Sequence, residues 1–185
     1  MTRLISIFRR LAAETRGAEI AEAAAVLPLM FMFLLGIFWF GQAFSIYGAI
    51  TRAAEEGARA GAAPYCATCS GTHNIAQYES NAAAAVQAAL QGSRLDPTLA
   101  AYPTPPPPLN SCATGGGAVS CASGGSTNFC IQAPVQLTNG APGTTGQCGI
   151  AVSFSYPFQF WLPFTTLNQQ KIMITTSARV HMEKP

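Results

Sequence analysis

Hydrophobic and polar positions divide this chain into three regimes. From Ala23 through Thr51 no residue carries a formal charge, and the run includes Val26-Leu27-Pro28-Leu29-Met30-Phe31-Met32-Phe33-Leu34-Leu35. An apolar helix of ~20 residues crosses the hydrocarbon core of a bilayer, so this run spans it and continues beyond. The helix is expected from about Ala18 to Ala62, becoming alanine-rich and amphipathic after Thr51 and stopping before Pro64. A second helical period covers His73–Gln91, with Ile75, Tyr78, Ala82, Ala85, Val86, Ala89 and Leu90 on one face. Thr72 or Asn74 fits its start, and Gly92 fits the position after its end.

The last third alternates with period two. Phe129, Ile131, Ala133, Val135 and Leu137 form one such set; Ile150, Val152, Phe154 and Tyr156 form the next; Ile172, Ile174, Thr176, Ala178, Val180 and Met182 form the third. Strands that bury one face are expected, with Pro134 placing the first at a sheet edge. The aromatic run Pro157–Phe164 is expected to cap a small core. Pro97, Pro103 and Pro105–Pro108 define a stiff linker at about 97–108, and residues 110–127 read as a loop. Two helices and a small antiparallel sheet make the fold class α+β.

Charge gives the orientation. Arg3, Arg9, Arg10 and Arg16 precede the span, and the next cations are Arg52 and Arg59. Basic residues on the short N-terminal side predict a cytoplasmic N-terminus and an exported C-terminal part. A secretory signal also starts basic and then apolar, but its apolar region runs only about 7–15 residues. Beyond Ala53, Arg59, Arg94, Lys171, Arg179 and Lys184 balance Glu55, Glu56, Glu79, Asp96 and Glu183, so no nucleic-acid partner is indicated.

Candidate chemistry is sparse. The two histidines, His73 and His181, lie far apart, Asp96 is the sole aspartate, and no nucleophile or phosphate-loop motif is present. Neither a cofactor nor a metal is expected, and the chain does not read as an enzyme. Cys66, Cys69, Cys112, Cys121, Cys130 and Cys148 all fall on the exported side, where an even count implies disulfides; pairing is not readable from sequence. Cys66-x-x-Cys69 also admits a redox or half-metal-site reading, but neither a βαβ context nor a second matched cysteine pair accompanies it. Gly36, Gly41 and Gly48 leave low spots along the helix, and Gly57 with Gly61 forms a GxxxG step suited to helix packing.

The remaining feature is the mouth of the span, Gly17-Ala18-Glu19-Ile20-Ala21-Glu22. A cut after Gly17 would create an α-amino group on Ala18, one helical turn before Glu22. A carboxylate at the bilayer margin is costly to leave unpaired, and such an amine from a neighbouring subunit would neutralise it. The simpler reading is that Glu19 and Glu22 complement the positive helix N-terminus.

Gly17-x4-Glu22, Val26-Leu27-Pro28, Gly36-Ile37, Phe40-Gly41 and Ala54-Glu55-Glu56-Gly57-Ala58-Arg59-Ala60 together resemble the N-terminal region of TadE-like proteins, pseudopilins of the tight-adherence (Flp) pilus system. The family often has an aromatic after the glutamate, where this chain has Ala23. The resemblance implies a pilin-like protein with a leader, residues 1–17, removed by a prepilin peptidase. Ala18 then becomes the first residue and Glu22 the fifth. It further implies residence in the bacterial inner membrane, with residues 18–62 as anchor and 63–185 as a periplasmic domain. Partners would be other pilins or pseudopilins, the inner-membrane assembly platform and the lipid bilayer. Two alternatives remain: an unprocessed, single-pass anchored binding domain, and a tethered thiol–disulfide protein using Cys66 and Cys69.

Overall fold

The computed structural model describes residues 15–63, 75–112, 117–121, 128–137, 147–159 and 171–182. The chain divides after Ala43 into two compact units. Helix α1 runs Thr15–Ala62, three residues earlier at its start than the apolar pattern indicates, and belongs in part to each.

In the first unit α1 has almost no cover. Large apolar side chains between Val26 and Phe40, except the half-buried Trp39, are exposed, from 42% at Leu35 to 76% at Met32. Apolar surface this continuous on a soluble helix would aggregate; in a bilayer it is the solvated face. By length and composition this helix can cross a membrane, and it is the single candidate span among the described residues. Pro28 lies inside it without ending it.

The second unit holds the C-terminal part of α1, helix α2 (Ile75–Gly92), a 3-10 turn (Pro97–Leu99) and three strands. These are β1 (Cys130–Gln136), β2 (Cys148–Gln159) and β3 (Lys171–His181), in the order β1-β2-β3, both pairings antiparallel. The architecture is α+β.

Along α1, Ile50, Ala53, Ala54 and Ala58 are fully buried at helical spacing. They meet Ala82, Ala83, Val86 and Leu90 of α2 and Ile150, Val152, Phe154 and Tyr156 of β2 in one core cluster. Phe129 and Phe154 pack edge to face within it, with ring centroids 5.4 Å apart. Ile75, expected on the buried face of α2, is instead exposed at the first helical position.

Helix α2 ends differently from the sequence expectation. Gly92 is its last helical residue, and the left-handed position is occupied by Arg94, with φ 59°. The Leu95 N–H donates to Leu90 O and the Arg94 N–H to Gln91 O, which is the Schellman pattern. Leu95 packs on the same core as Leu90, the apolar contact that usually accompanies this motif.

Strand β1 corrects the alternation. Its register with β2 shifts between Gln132 and Val135, so one extra residue is accommodated around Pro134. An inserted residue reverses every later side chain. Ile131 and Ala133 therefore face the helices, while Val135 and Leu137 join Leu109, Val119 and Ala151 on the opposite face.

That opposite face is covered too, and β2 is buried on both sides from Gly149 to Tyr156. The proline-rich stretch expected to act as a linker lies along the sheet instead. Ala101 exchanges two 2.8 Å backbone hydrogen bonds with Ser155, and Ser111 bridges to Val135. Gln132, 1% exposed, donates through Nε2 to Pro107 O at 3.1 Å and Val119 O at 2.7 Å.

β2 extends through Pro157, Phe158 and Gln159, residues expected to begin an aromatic capping loop. Pro157 is tolerated in a central strand for a geometric reason. The Ser155 N–H and C=O point away from β3, toward Ala101, and position 157 points the same way. β1 pairs only as far as Ser153, so no ladder bond is lost at Pro157. Residues 160–170, which carry Phe160, Trp161 and Phe164, lie outside the described residues.

Candidate processing and assembly segment

Gly17 sits in the first turn of α1 and is exposed, as is Glu22. Helical geometry places positions 18 and 22 one turn apart on one face.

Farther along, Gly36 and Gly41 face open space, with no atom within 4 Å of where a Cβ would stand; Gly48 is the same. Gly36 is flanked by Leu29, Met32, Phe33, Ile37 and Phe40, which line a shallow apolar groove on one helix face.

Gly57 and Gly61 have a partner within the chain. A Cβ on Gly57 would overlap Val86 Cγ2 and stand 3.1 Å from Ala82 O. One on Gly61 would lie 2.5 Å from Ile150 Cδ1 and 3.0 Å from Ala82 Cβ. The GxxxG step thus seats α2, and Ile150 of β2, against α1 of the same chain.

Of the six cysteines, four are placed. Cys112 pairs with Cys148 and Cys121 with Cys130. Both bonds tie the covering segment to a strand end, one to β2 and one to β1. Cys66 and Cys69 lie outside the described residues, as do His73 and the expected caps Thr72 and Asn74.

Two further residues hold the α2 terminus to the sheet. The Asp96 N–H donates to Tyr156 Oη at 3.1 Å. Asp96 Oδ1 accepts from Thr98 Oγ1 at 2.7 Å and Thr98 N at 2.9 Å, and these bonds hold its carboxyl below the usual range. Burial pushes the Tyr156 hydroxyl up, and burial likewise raises the Glu79 carboxyl on α2. The Asp-Pro-Thr triplet was the available sequence signal for this turn; its attachment to Tyr156, sixty residues away, had none.

Among the described residues no group of three His, Cys, Asp or Glu side chains could hold a metal ion. His181 is exposed on β3. What is continuous and distinctive is the segment from Gly17 through the apolar run to the packed Gly57. Residues 17–59 match the family model described as TadE-like protein.

The chain carries a TadE-like segment. The match links it to pilus-associated proteins and, with the long exposed apolar helix, indicates a single-pass membrane anchor. No curated protein and no solved structure matches the chain. The matched portion takes in the apolar run and Gly57 of the α1–α2 contact, and stops before Gly61, the sheet and both placed disulfides.

Proposed function

We propose that this chain is a TadE-like minor pseudopilin that is cut after Gly17 and acts in assembling a tight-adherence (Flp-type) pilus. The observation that carries this reading is the family match beginning at Gly17, the residue before the proposed cut, and running through the whole apolar helix. Residues 1–17 are the leader and are removed by a prepilin peptidase. The mature chain begins at Ala18, anchored in the inner membrane with residues 63–185 in the periplasm. The arginines before the span support this orientation.

Cleavage joins processing to assembly through charge. The new α-amino group and Glu22 are one turn apart, and two subunits side by side in a membrane can exchange this pairing. An ion pair at the bilayer margin is worth more than one in water, since either charge alone is poorly solvated there. The remaining partners are other pilins or pseudopilins and the inner-membrane platform. The sheet domain recognises neighbours and performs no catalysis.

The test is the N-terminal residue and intact mass of the chain recovered from membranes of cells with an active prepilin peptidase. A start at Ala18 supports the reading. A chain starting at Met1 overturns it in favour of an unprocessed anchor. Gly17→Leu should leave the chain at full length and abolish pilus assembly; normal function in that variant also overturns the reading.

A further inference from the structure

The second unit has one end that lies toward the apolar run. On α1, Gly61 meets Tyr78 O, Ala82 and Ile150, while Gly57, one turn earlier, meets Ala82 O and Val86. Helix α2 therefore runs antiparallel to α1, and its last turn lies toward Phe44, where the chain enters this unit. Strand β2 runs the same way. Ile150 stands at the level of Gly61, and Tyr156 Oη accepts from the Asp96 N–H just beyond the end of α2.

Element geometry sets how far the strand reaches. β2 rises about 26 Å from Ile150 to Phe158. With the two axes aligned, the same distance back along α1 from Gly61 takes about 17–18 residues and ends near Phe44. Ile46 packs against the core of this unit, so the fold itself extends to that level. A span of ~20 residues counted from Ala23, the start of the uncharged run, ends at about the same place. Phe44 and Tyr47, 71% and 50% exposed, stand there as aromatic residues do at a membrane–water boundary.

The other side chains at this end suit that boundary. Lys171 pairs with Gln159 to close the β2–β3 ladder, and both are exposed. Ile172 and Met173 follow on opposite faces of the sheet, 49% and 46% exposed. Leu99, 50% exposed, precedes the Ala101–Ser155 bridge on the other flank of β2. Apolar side chains left uncovered together at one end of a small domain mark an interaction surface. Among the described residues, the opposite end of the β2–β3 ladder exposes no large apolar side chain. The charged groups described at the Lys171 end are Arg94 and Lys171 against Asp96, a net positive balance that suits anionic headgroups.

We infer that this end of the unit rests on the bilayer that α1 crosses, with Leu99, Ile172 and Met173 in the headgroup layer and Lys171 beside lipid phosphates. The inference rests on α1 being a membrane anchor and is independent of cleavage after Gly17. Each contact is weak alone, but the anchor holds all of them at the surface, so none has to supply binding by itself.

The test is photo-crosslinking of the full chain in vesicles of phosphatidylethanolamine and phosphatidylglycerol, read as lipid adducts by mass spectrometry. A benzophenone amino acid replaces Phe33, Leu99, Met173 or His181, one at a time. Phe33, in the apolar run, reports insertion. Lipid adducts at Phe33, Leu99 and Met173, with none at His181, are the expected result. The Leu99 adduct should fall at least about threefold in Ile172→Asp/Met173→Asp and in Lys171→Glu, with the thermal melt unchanged. Lys171→Glu alters an exposed side chain and carries the test if the double variant fails to fold. Adducts at Phe33 with none at Leu99 or Met173 overturn the inference and leave the anchor reading intact. No adduct at Phe33 overturns both. Cross-links from Met173 to a second copy in place of lipid overturn the inference. An undiminished Leu99 adduct in every folded variant also overturns it, since tethering alone would then account for the proximity.

Discussion

Gly57 of α1 stands directly against Val86 of α2, leaving no room for even a methyl group between them. Val86 is fully buried and has no solvent side toward which to move. Gly57→Ala gains about 1 kcal/mol of helix propensity but forces a rearrangement worth about 1–3 kcal/mol. Because Val86 cannot move aside, the upper part of that range applies, about 2–3 kcal/mol, so a net loss of about 1–2 kcal/mol is expected in thermal or denaturant unfolding of the detergent-solubilised chain. Gly41→Ala meets no atom and should leave that stability unchanged or slightly raised. A Gly57→Ala chain as stable as wild type would contradict the packing described.

Arg94 holds a left-handed conformation that costs a residue with a Cβ roughly 1–2 kcal/mol. Glycine avoids that penalty but gains freedom in the unfolded chain worth about 0.4–1 kcal/mol. Arg94→Gly should therefore raise stability by about 0.5–1 kcal/mol. A lower melting temperature in this variant would show that the Arg94 side chain contributes a contact larger than the backbone penalty.

The two placed disulfides close loops of different length, with sequence separations of 36 and 9. Chain-entropy reasoning assigns about 4 kcal/mol to the first and about 3 kcal/mol to the second. Cys112→Ser/Cys148→Ser should lower the denaturation midpoint more than Cys121→Ser/Cys130→Ser. Either double variant should expose the covering segment to limited proteolysis between residues 101 and 121. Unchanged protease resistance would mean that the backbone bridges alone hold the segment.

Two carboxyls give opposite pH responses. The Asp96 pKa is lowered, so its contribution is present above the unfolded value of about 3.9 and is lost as pH falls through the folded one. Asp96→Ala should lower the melting temperature at pH 7 and differ less from wild type at pH 3. The Glu79 pKa is raised, so its contribution is full below about 4.3 and is lost as pH rises through the folded value. Glu79→Gln should raise the melting temperature at pH 7 and match wild type at pH 3. A Glu79→Gln curve below wild type at pH 7 would point to an attractive partner for the carboxylate.

Much of the molecule was written locally. A largely apolar, uncharged run from Ala23 to Thr51 is long enough to cross a bilayer, so the long helix and its candidate span are legible in the composition. The α+β class follows from two helical periods and three alternating sets, since each period has only one backbone geometry that buries its apolar side. The Gly17–Glu22 spacing likewise lies at the start of the segment that the family model matches.

Tertiary structure decided what local pattern leaves undetermined. Val135 and Leu137 were expected to share a face with Ile131, but a bulge is a relation between two strands and reversed them. The proline-rich stretch is low in apolar content, and its place on the sheet comes from backbone bonds to Ser155 and Val135 and from the side chain of Gln132. Disulfide pairing required Cys112 and Cys148 to be brought together across 36 residues. The GxxxG step indicates close packing at Gly57 and Gly61; only the fold identifies the neighbours as α2 and, at Gly61, also Ile150 of β2. Periodicity specifies which side of an element avoids water, while the partner on that side depends on contacts between residues far apart in the chain.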